Sequence, residues 1–200
     1  MTNIVFDIGN VLIAWDPHAA FRDHFADDAA IDAMFAEVGF FDWNLEQDRG
    51  RSRADAVAVI QNQWPHHAAV LDQFFDRFPA TIQQKVTGTW QVLDDLKSAN
   101  HRIFGLTNWG GDTWPMAKQV HPELNDIFED VVVSAHEKLI KPDSQIYNVL
   151  TDRNNLTPAD CLFIDDSPKN VDGARNAGWQ AVHFTSADEL RKSVNNLALL

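Results

Sequence analysis

The residues that could do chemistry fall into four short clusters, each placed after an apolar run. Asp7-Ile8-Gly9-Asn10 follows Ile4-Val5-Phe6, and Thr107-Asn108 follows Arg102-Ile103-Phe104-Gly105-Leu106. Ser134-Ala135-His136-Glu137-Lys138 and then Lys141-Pro142 follow Val131-Val132-Val133, and Asp165-Asp166-Ser167 follows Leu162-Phe163-Ile164. They comprise a lone carboxylate, a hydroxyl with a carboxamide, a cation and an acidic pair. These are the parts needed for phosphoryl transfer through an enzyme carboxylate. Asp7 can attack phosphorus to form an acyl phosphate. Asp7, Asp165 and Asp166 supply the hard oxygen ligands that suit Mg²⁺. Lys141 would bring positive charge to the transferring group, and Thr107 a hydrogen bond. Without the ion and the lysine, three carboxylates would repel a phosphate dianion. Taken singly, each cluster also has a plain structural use: Asp after a strand serves Asx turns, and Pro168 marks a helix start beside the acidic pair. Their joint occurrence at strand ends points to a site.

The elements that must position these groups are legible from the apolar pattern. The four runs, with a fifth at Ala181-Val182-His183-Phe184, are near-continuously apolar, as strands covered on both faces of a parallel sheet are. Helical spacing occupies 88–99, 142–151, 169–177 and 187–196, and Pro158 and Pro168 sit where helix starts tolerate proline. Alternating strand and helix predicts an α/β fold, a doubly wound, Rossmann-like parallel sheet whose ligands bind beyond the carboxyl ends of the strands. The stretch between the first two strands is too long for a loop, and is rich in helix formers and aromatics. It predicts a small all-helical cap at 16–86 inserted after strand 1, with the catalytic core formed by 1–15 and 87–200. Phe21, Phe25, Met34, Phe35, Phe40, Phe41, Trp43, Trp64, Phe74, Phe75 and Phe78 are expected mainly to fill the cap's own interior.

Bulk properties exclude several function classes. Two hundred residues suffice for a core without a metal or disulfide staple, and the single cysteine, Cys161, reads as a small apolar core residue. A formal charge of −13 argues against nucleic acid but not against a small phosphorylated substrate, because a metal ion and local cations can reverse the field in a pocket. The opening Met1-Thr2-Asn3-Ile4-Val5-Phe6 lacks the features of a secretory signal, and no run is long and apolar enough for a membrane span. A cytoplasmic protein, monomeric or weakly dimeric, is the expectation. The histidines show no zinc-ligand spacing.

The four clusters resemble, in order, the motifs of the haloacid dehalogenase superfamily. The resemblance is carried by Phe6-Asp7-Ile8-Gly9-Asn10-Val11-Leu12, Leu106-Thr107-Asn108, Lys141-Pro142 and Phe163-Ile164-Asp165-Asp166-Ser167-Pro168-Lys169-Asn170-Val171. It is strongest for the phosphatase branch with a helical cap after strand 1. The resemblance implies a Mg²⁺-dependent phosphatase acting on a small phosphate monoester, such as a sugar phosphate, with Asp7 as nucleophile. Asp7, the Gly9 carbonyl and principally Asp166, with Asp165 beside it, would serve the metal; Thr107 and Lys141 would hold the transferring phosphate. Gly9, Asn10, Asn108, Trp109 and Arg49 would bind phosphate or substrate, Arg49 together with Arg51 from the turn Gln47-Asp48-Arg49-Gly50-Arg51. The sequence departs from the family pattern at Gly9, where most family phosphatases carry a second Asp as general acid and base. A leaving group that needs little protonation, a water, or Asp16 could compensate. The alternatives are hydrolytic dehalogenation of a haloacid and a non-catalytic phosphate- or partner-binding module. A phosphorylatable receiver is disfavoured, because its acidic pair follows the first strand rather than the fourth.

Overall fold

Parallel pairing turns each apolar run into a strand and lines their ends up along one edge. The computed structural model describes residues 2–200. Its strands β1 (Asn3–Phe6), β2 (Arg102–Thr107), β3 (Val131–Val133), β4 (Cys161–Asp165) and β5 (Gln180–His183) form one sheet in the order β3-β2-β1-β4-β5. All pairings are parallel, and Phe6 lies opposite Gly105 on one side and Ile164 on the other. β1 is therefore central, with Asp7 just beyond its end. Thr107 and Asp165, expected just after strands, are instead their last residues, because the ladders continue to Val133 and His183. The side chains alternate between two covered faces. Ile4, Phe6 and Ile164 join one apolar cluster, while Val5, Phe104, Leu106 and Phe163 join the other. Burial of both faces explains why the runs show no polar alternation.

The insert that follows β1 forms a 3-10 turn (Pro17–Ala20) and four helices: α1 (Asp28–Val38), α2 (Phe40–Asp48), α3 (Arg53–Gln63) and α4 (Ala68–Thr81). Local chemistry sets their ends. The Asp27 carboxylate accepts from the Ala30 amide, and the Ser52 hydroxyl accepts from the Asp55 amide. Gly39, at φ 62°, ends α1 and turns the chain directly into α2. Phe35 stacks on Phe40 with centroids 4.1 Å apart, and Phe21 stacks on Phe74. These rings belong to the same apolar cluster as Ile4 and Phe6, so the insert has no separate interior but shares one with the sheet. Phe41 is the exception, more than half exposed. The two ends of the insert pair with each other: Ala14 donates to Gln84, Asp16 to Thr81 and Val86 to Leu12, all backbone bonds of 2.8–2.9 Å.

The remaining helices are α5 (Thr89–Ser98), α6 (Trp114–Val120), α7 (Ser134–Glu137), α8 (Ser144–Asn154), α9 (Pro168–Asn176) and α10 (Ala187–Asn196). The sequence pattern assigned no helix to 114–120; α6 is short and begins Trp114-Pro115, too brief for apolar periodicity to register. No helix among the described residues is long and apolar enough to cross a membrane.

α9 packs so closely on the chain near Lys141 that a side chain at Gly173 has no room. A Cβ there would lie 2.6 Å from the Pro142 carbonyl oxygen and 2.9 Å from Tyr147 Oη. Gly173→Ala should therefore destabilise the protein by about 1–3 kcal/mol, the usual result of overpacking. Urea unfolding measures this; an unchanged midpoint would show that α9 yields freely.

Candidate active site

The sheet's carboxyl edge gathers a buried cation between two carboxylates. Lys141 Nζ lies 2.7 Å from Asp165 Oδ2 and 2.9 Å from Asp7 Oδ1, and also donates to the Leu106 carbonyl at 3.0 Å. Its position is fixed by Asn108, whose amide donates to the Lys141 carbonyl (3.2 Å) while its carbonyl accepts from the Lys141 amide (2.9 Å). Asp165 is fully buried and saturated: Oδ1 accepts from the Ser167 amide and Asn170, and Oδ2 from Lys141 and Asn170. It thus anchors Lys141 to the start of α9. Asp7 is freer, with Oδ1 accepting from the Ile8 amide at 2.7 Å as well as meeting the lysine.

Charge is not balanced here. Burial opposes the lysine's charge, but Asp7 and Asp165 outweigh it and hold Lys141 above the ordinary lysine value. One ammonium cannot neutralise two carboxylates. Burial pushes Asp7 up to about 8, with Asp165 and Asp166 adding to the rise against the pull of Lys141. Asp166 is raised as well, by burial first and then by Asp165. Oxygens of Asp7, Asp165 and Asp166 lie within 4.8 Å of one another, a donor set that fits a hard divalent cation. Asp7 and Asp166 face the adjacent cavity, whereas Asp165 does not, so the first two have oxygens to offer an ion while Asp165 is committed to Lys141.

The cavity, of about 170 Å³, lies between the strand ends and the helical insert. Asp7, Gly9, Asn10, Asn108, Trp109 and Asp166 of the expected site line it. Asn10 holds φ 56° and accepts from the Trp15 amide, fixing the turn after β1. Thr107 and Lys141 are not among the lining residues; Thr107 Oγ1 is buried with no partner among the described residues, an orphaned donor at the end of β2. Trp109 is both wall and packing: buried, it meets Phe78 and Trp114 edge-on, and its amide donates to Ser134 Oγ. Arg49 lies outside the lining, exposed and paired with Glu46 at 3.4 Å. Asp16 is likewise outside, bound to Arg22 at 2.8 Å.

The insert presents the expected Arg51 to the cavity, and beside it Asn44, Gln47 and Asp48, together with Phe74, Phe75 and Phe78. In chain order the four polar residues are spaced i, i+3, i+4, i+7, one stripe of a helix and the turn after it, and that spacing was the available signal. It was hidden because polar residues facing a cavity look like an ordinary solvated face. The family model for haloacid dehalogenase-like hydrolases matches residues 1–178. The chain belongs to that family. The sesquiterpene phosphatase astK of Aspergillus oryzae is 23% identical over 92% of this chain and 89% of its own length. Flavin mononucleotide hydrolase 1 of Arabidopsis thaliana is 37% identical over 56% of the chain, which spans 45% of that relative. A HAD family enzyme from Bacteroides thetaiotaomicron, solved in complex with magnesium and inorganic phosphate, superposes with a TM-score of 0.71 at 21% identity, covering 93% of this chain and 95% of the other. The protein is thus a hydrolase of the haloacid dehalogenase-like family, and the expected family fold and membership hold.

In this hydrolase the buried ion pair should dominate local stability. Lys141→Met would strand two buried carboxylates and cost about 3–5 kcal/mol in EDTA at neutral pH. The loss should shrink as the pH falls and Asp7 takes up a proton, since its folded-state value of about 8 lies above the unfolded one. A variant as stable as the parent at pH 7 would mean that the cluster is solvated after all.

Proposed function

We propose that the protein is a Mg²⁺-dependent phosphatase that hydrolyses a small phosphate monoester through a phospho-enzyme on Asp7. The observation that carries this reading is the combination at one strand edge: an under-neutralised Asp7, a fixed Lys141 and an orphaned Thr107 hydroxyl, all beside a cavity. An anion placed there would receive the lysine's charge and the hydroxyl's hydrogen bond. Asp7 and Asp166 would hold the ion, with the Gly9 carbonyl at the same rim; bound Mg²⁺ would neutralise the phosphate and let an anionic nucleophile approach it. Asp7 attacks phosphorus, the ester oxygen departs, and water then releases inorganic phosphate. Dehalogenation has no need of a divalent ion, so a cluster this acidic favours the phosphatase reading.

The insert acts as a cap that supplies substrate contacts. Trp15, Phe74, Phe75 and Trp109 give the cavity apolar walls, while Asn44, Gln47 and Arg51 offer hydrogen bonds to hydroxyls. Sugar phosphates are therefore the first class to try.

Two measurements test this. Phosphate release from a panel of monoesters should require Mg²⁺, stop with EDTA and vanish in Asp7→Asn; turnover that survives Asp7→Asn would end the phospho-aspartate reading. Metal loading should also release protons. A carboxyl with a value of about 8 must ionise to bind an ion, so apparent Mg²⁺ affinity should climb as pH rises toward about 8 and level off above it. Titration calorimetry in two buffers of different ionisation enthalpy reads this directly; identical heats at pH 7 would exclude Asp7 as the proton source.

A further inference from the structure

We propose that Asp48, delivered by the helical insert, is the general acid and base that position 9 lacks. This rests on the phosphatase reading. Gly9 leaves the hydrolase without a carboxyl two residues after its nucleophile, and Asp16 is turned away to Arg22. Asp48 lines the same cavity as Asp7, Gly9 and Asp166, but from the insert. In-line displacement sends the leaving oxygen away from Asp7, toward the wall the insert provides.

Three features suit Asp48 to proton transfer. Its carboxylate has no hydrogen-bond or ion-pair partner among the described residues, whereas Asp16, Asp28, Asp72, Asp76, Asp95 and Asp130 all hold arginines. Its backbone is fixed: Ser134 Oγ, which accepts from the Trp109 amide, donates to the Asp48 carbonyl at 2.6 Å. Gly50 then presses on Ala135, where an added Cβ would come within 2.9 Å of the carbonyl oxygen. Burial, opposed by Lys141, raises the carboxyl to about 7, so that both protonation states are populated near neutrality.

The steps balance. An Asp7 oxygen bonds to phosphorus as the phosphorus–ester oxygen bond breaks, and the leaving oxygen takes the proton of the Asp48 carboxyl. Water then loses a proton to the Asp48 carboxylate as its oxygen bonds to phosphorus. The Asp7–phosphorus bond breaks, giving inorganic phosphate, a free Asp7 carboxylate and a protonated Asp48.

Asp48→Asn is nearly isosteric and removes the proton. With an alkyl phosphate that the parent hydrolyses, kcat should fall about 10²–10⁴-fold with KM little changed. With p-nitrophenyl phosphate, whose leaving group departs without protonation, only the second step should slow, giving a stoichiometric burst of nitrophenolate and a phospho-Asp7 enzyme that persists. A Cβ at Gly9 would meet nothing within 4 Å, so a carboxyl can be built at the position where it is missing. Asp48→Asn combined with Gly9→Asp should recover turnover. If Asp48→Asn raises KM and leaves kcat intact, Asp48 binds substrate and the proposal falls. Equal losses on both esters with no burst, or no recovery in the double variant, would overturn it too. A parent protein that hydrolyses no monoester would refute the phosphatase reading itself, an outcome distinct from these.

Discussion

The structure turns on one buried ammonium shared by two carboxylates. Lys141 reaches Asp165 and Asp7 at 2.7 and 2.9 Å in a region almost free of solvent, where an unpaired charge would be severely penalised. Three distant chain segments must therefore meet for any of them to be satisfied. Asn108 contributes from a fourth, clasping the Lys141 backbone from both sides. The parallel sheet makes the meeting possible, because β1, β2 and β4 are neighbours and end together.

That arrangement leaves a deliberate imbalance. Asp165 consumes the lysine, with the Ser167 amide and Asn170 completing its hydrogen bonds. Asp7 keeps only a share of the positive charge and faces Asp166. A divalent cation would relieve that imbalance, and the clustered oxygens suit one. Asp165 holds Lys141 and the start of α9 in place, while Asp7 keeps its place at the cavity.

The insert adds a second layer of control. Because its aromatic rings merge with the core above the sheet, the wall it builds over the cavity is placed by packing rather than by a flexible tether. The paired segments at its two ends, Leu12–Asp16 against Thr81–Val86, fix where it leaves and rejoins the core. Its polar stripe, Asn44 to Arg51, then falls opposite the strand ends.

Much of this was written in the chain before folding. Apolar runs without alternation dictated buried parallel strands, and the residues after them dictated Asp7, Thr107, Lys141 and the acidic pair. Both are local properties: side-chain type and period are fixed by covalent order. Side-chain chemistry alone did not divide the labour within the pair, since Asp165 and Asp166 are chemically identical; only the family resemblance pointed to Asp166 as the principal metal ligand. The pleat sends one inward to Lys141 and the next toward the cavity. Nor could sequence choose among the polar residues of the turn after α2, where Arg49 and Arg51 looked equally able to meet a polar substrate. Helix phase turned Arg49 outward to Glu46 and carried Asp48 and Arg51 inward. Which charges are present is a matter of sequence; which of them lose water, and so gain unusual proton affinity, is decided only when distant surfaces close over them.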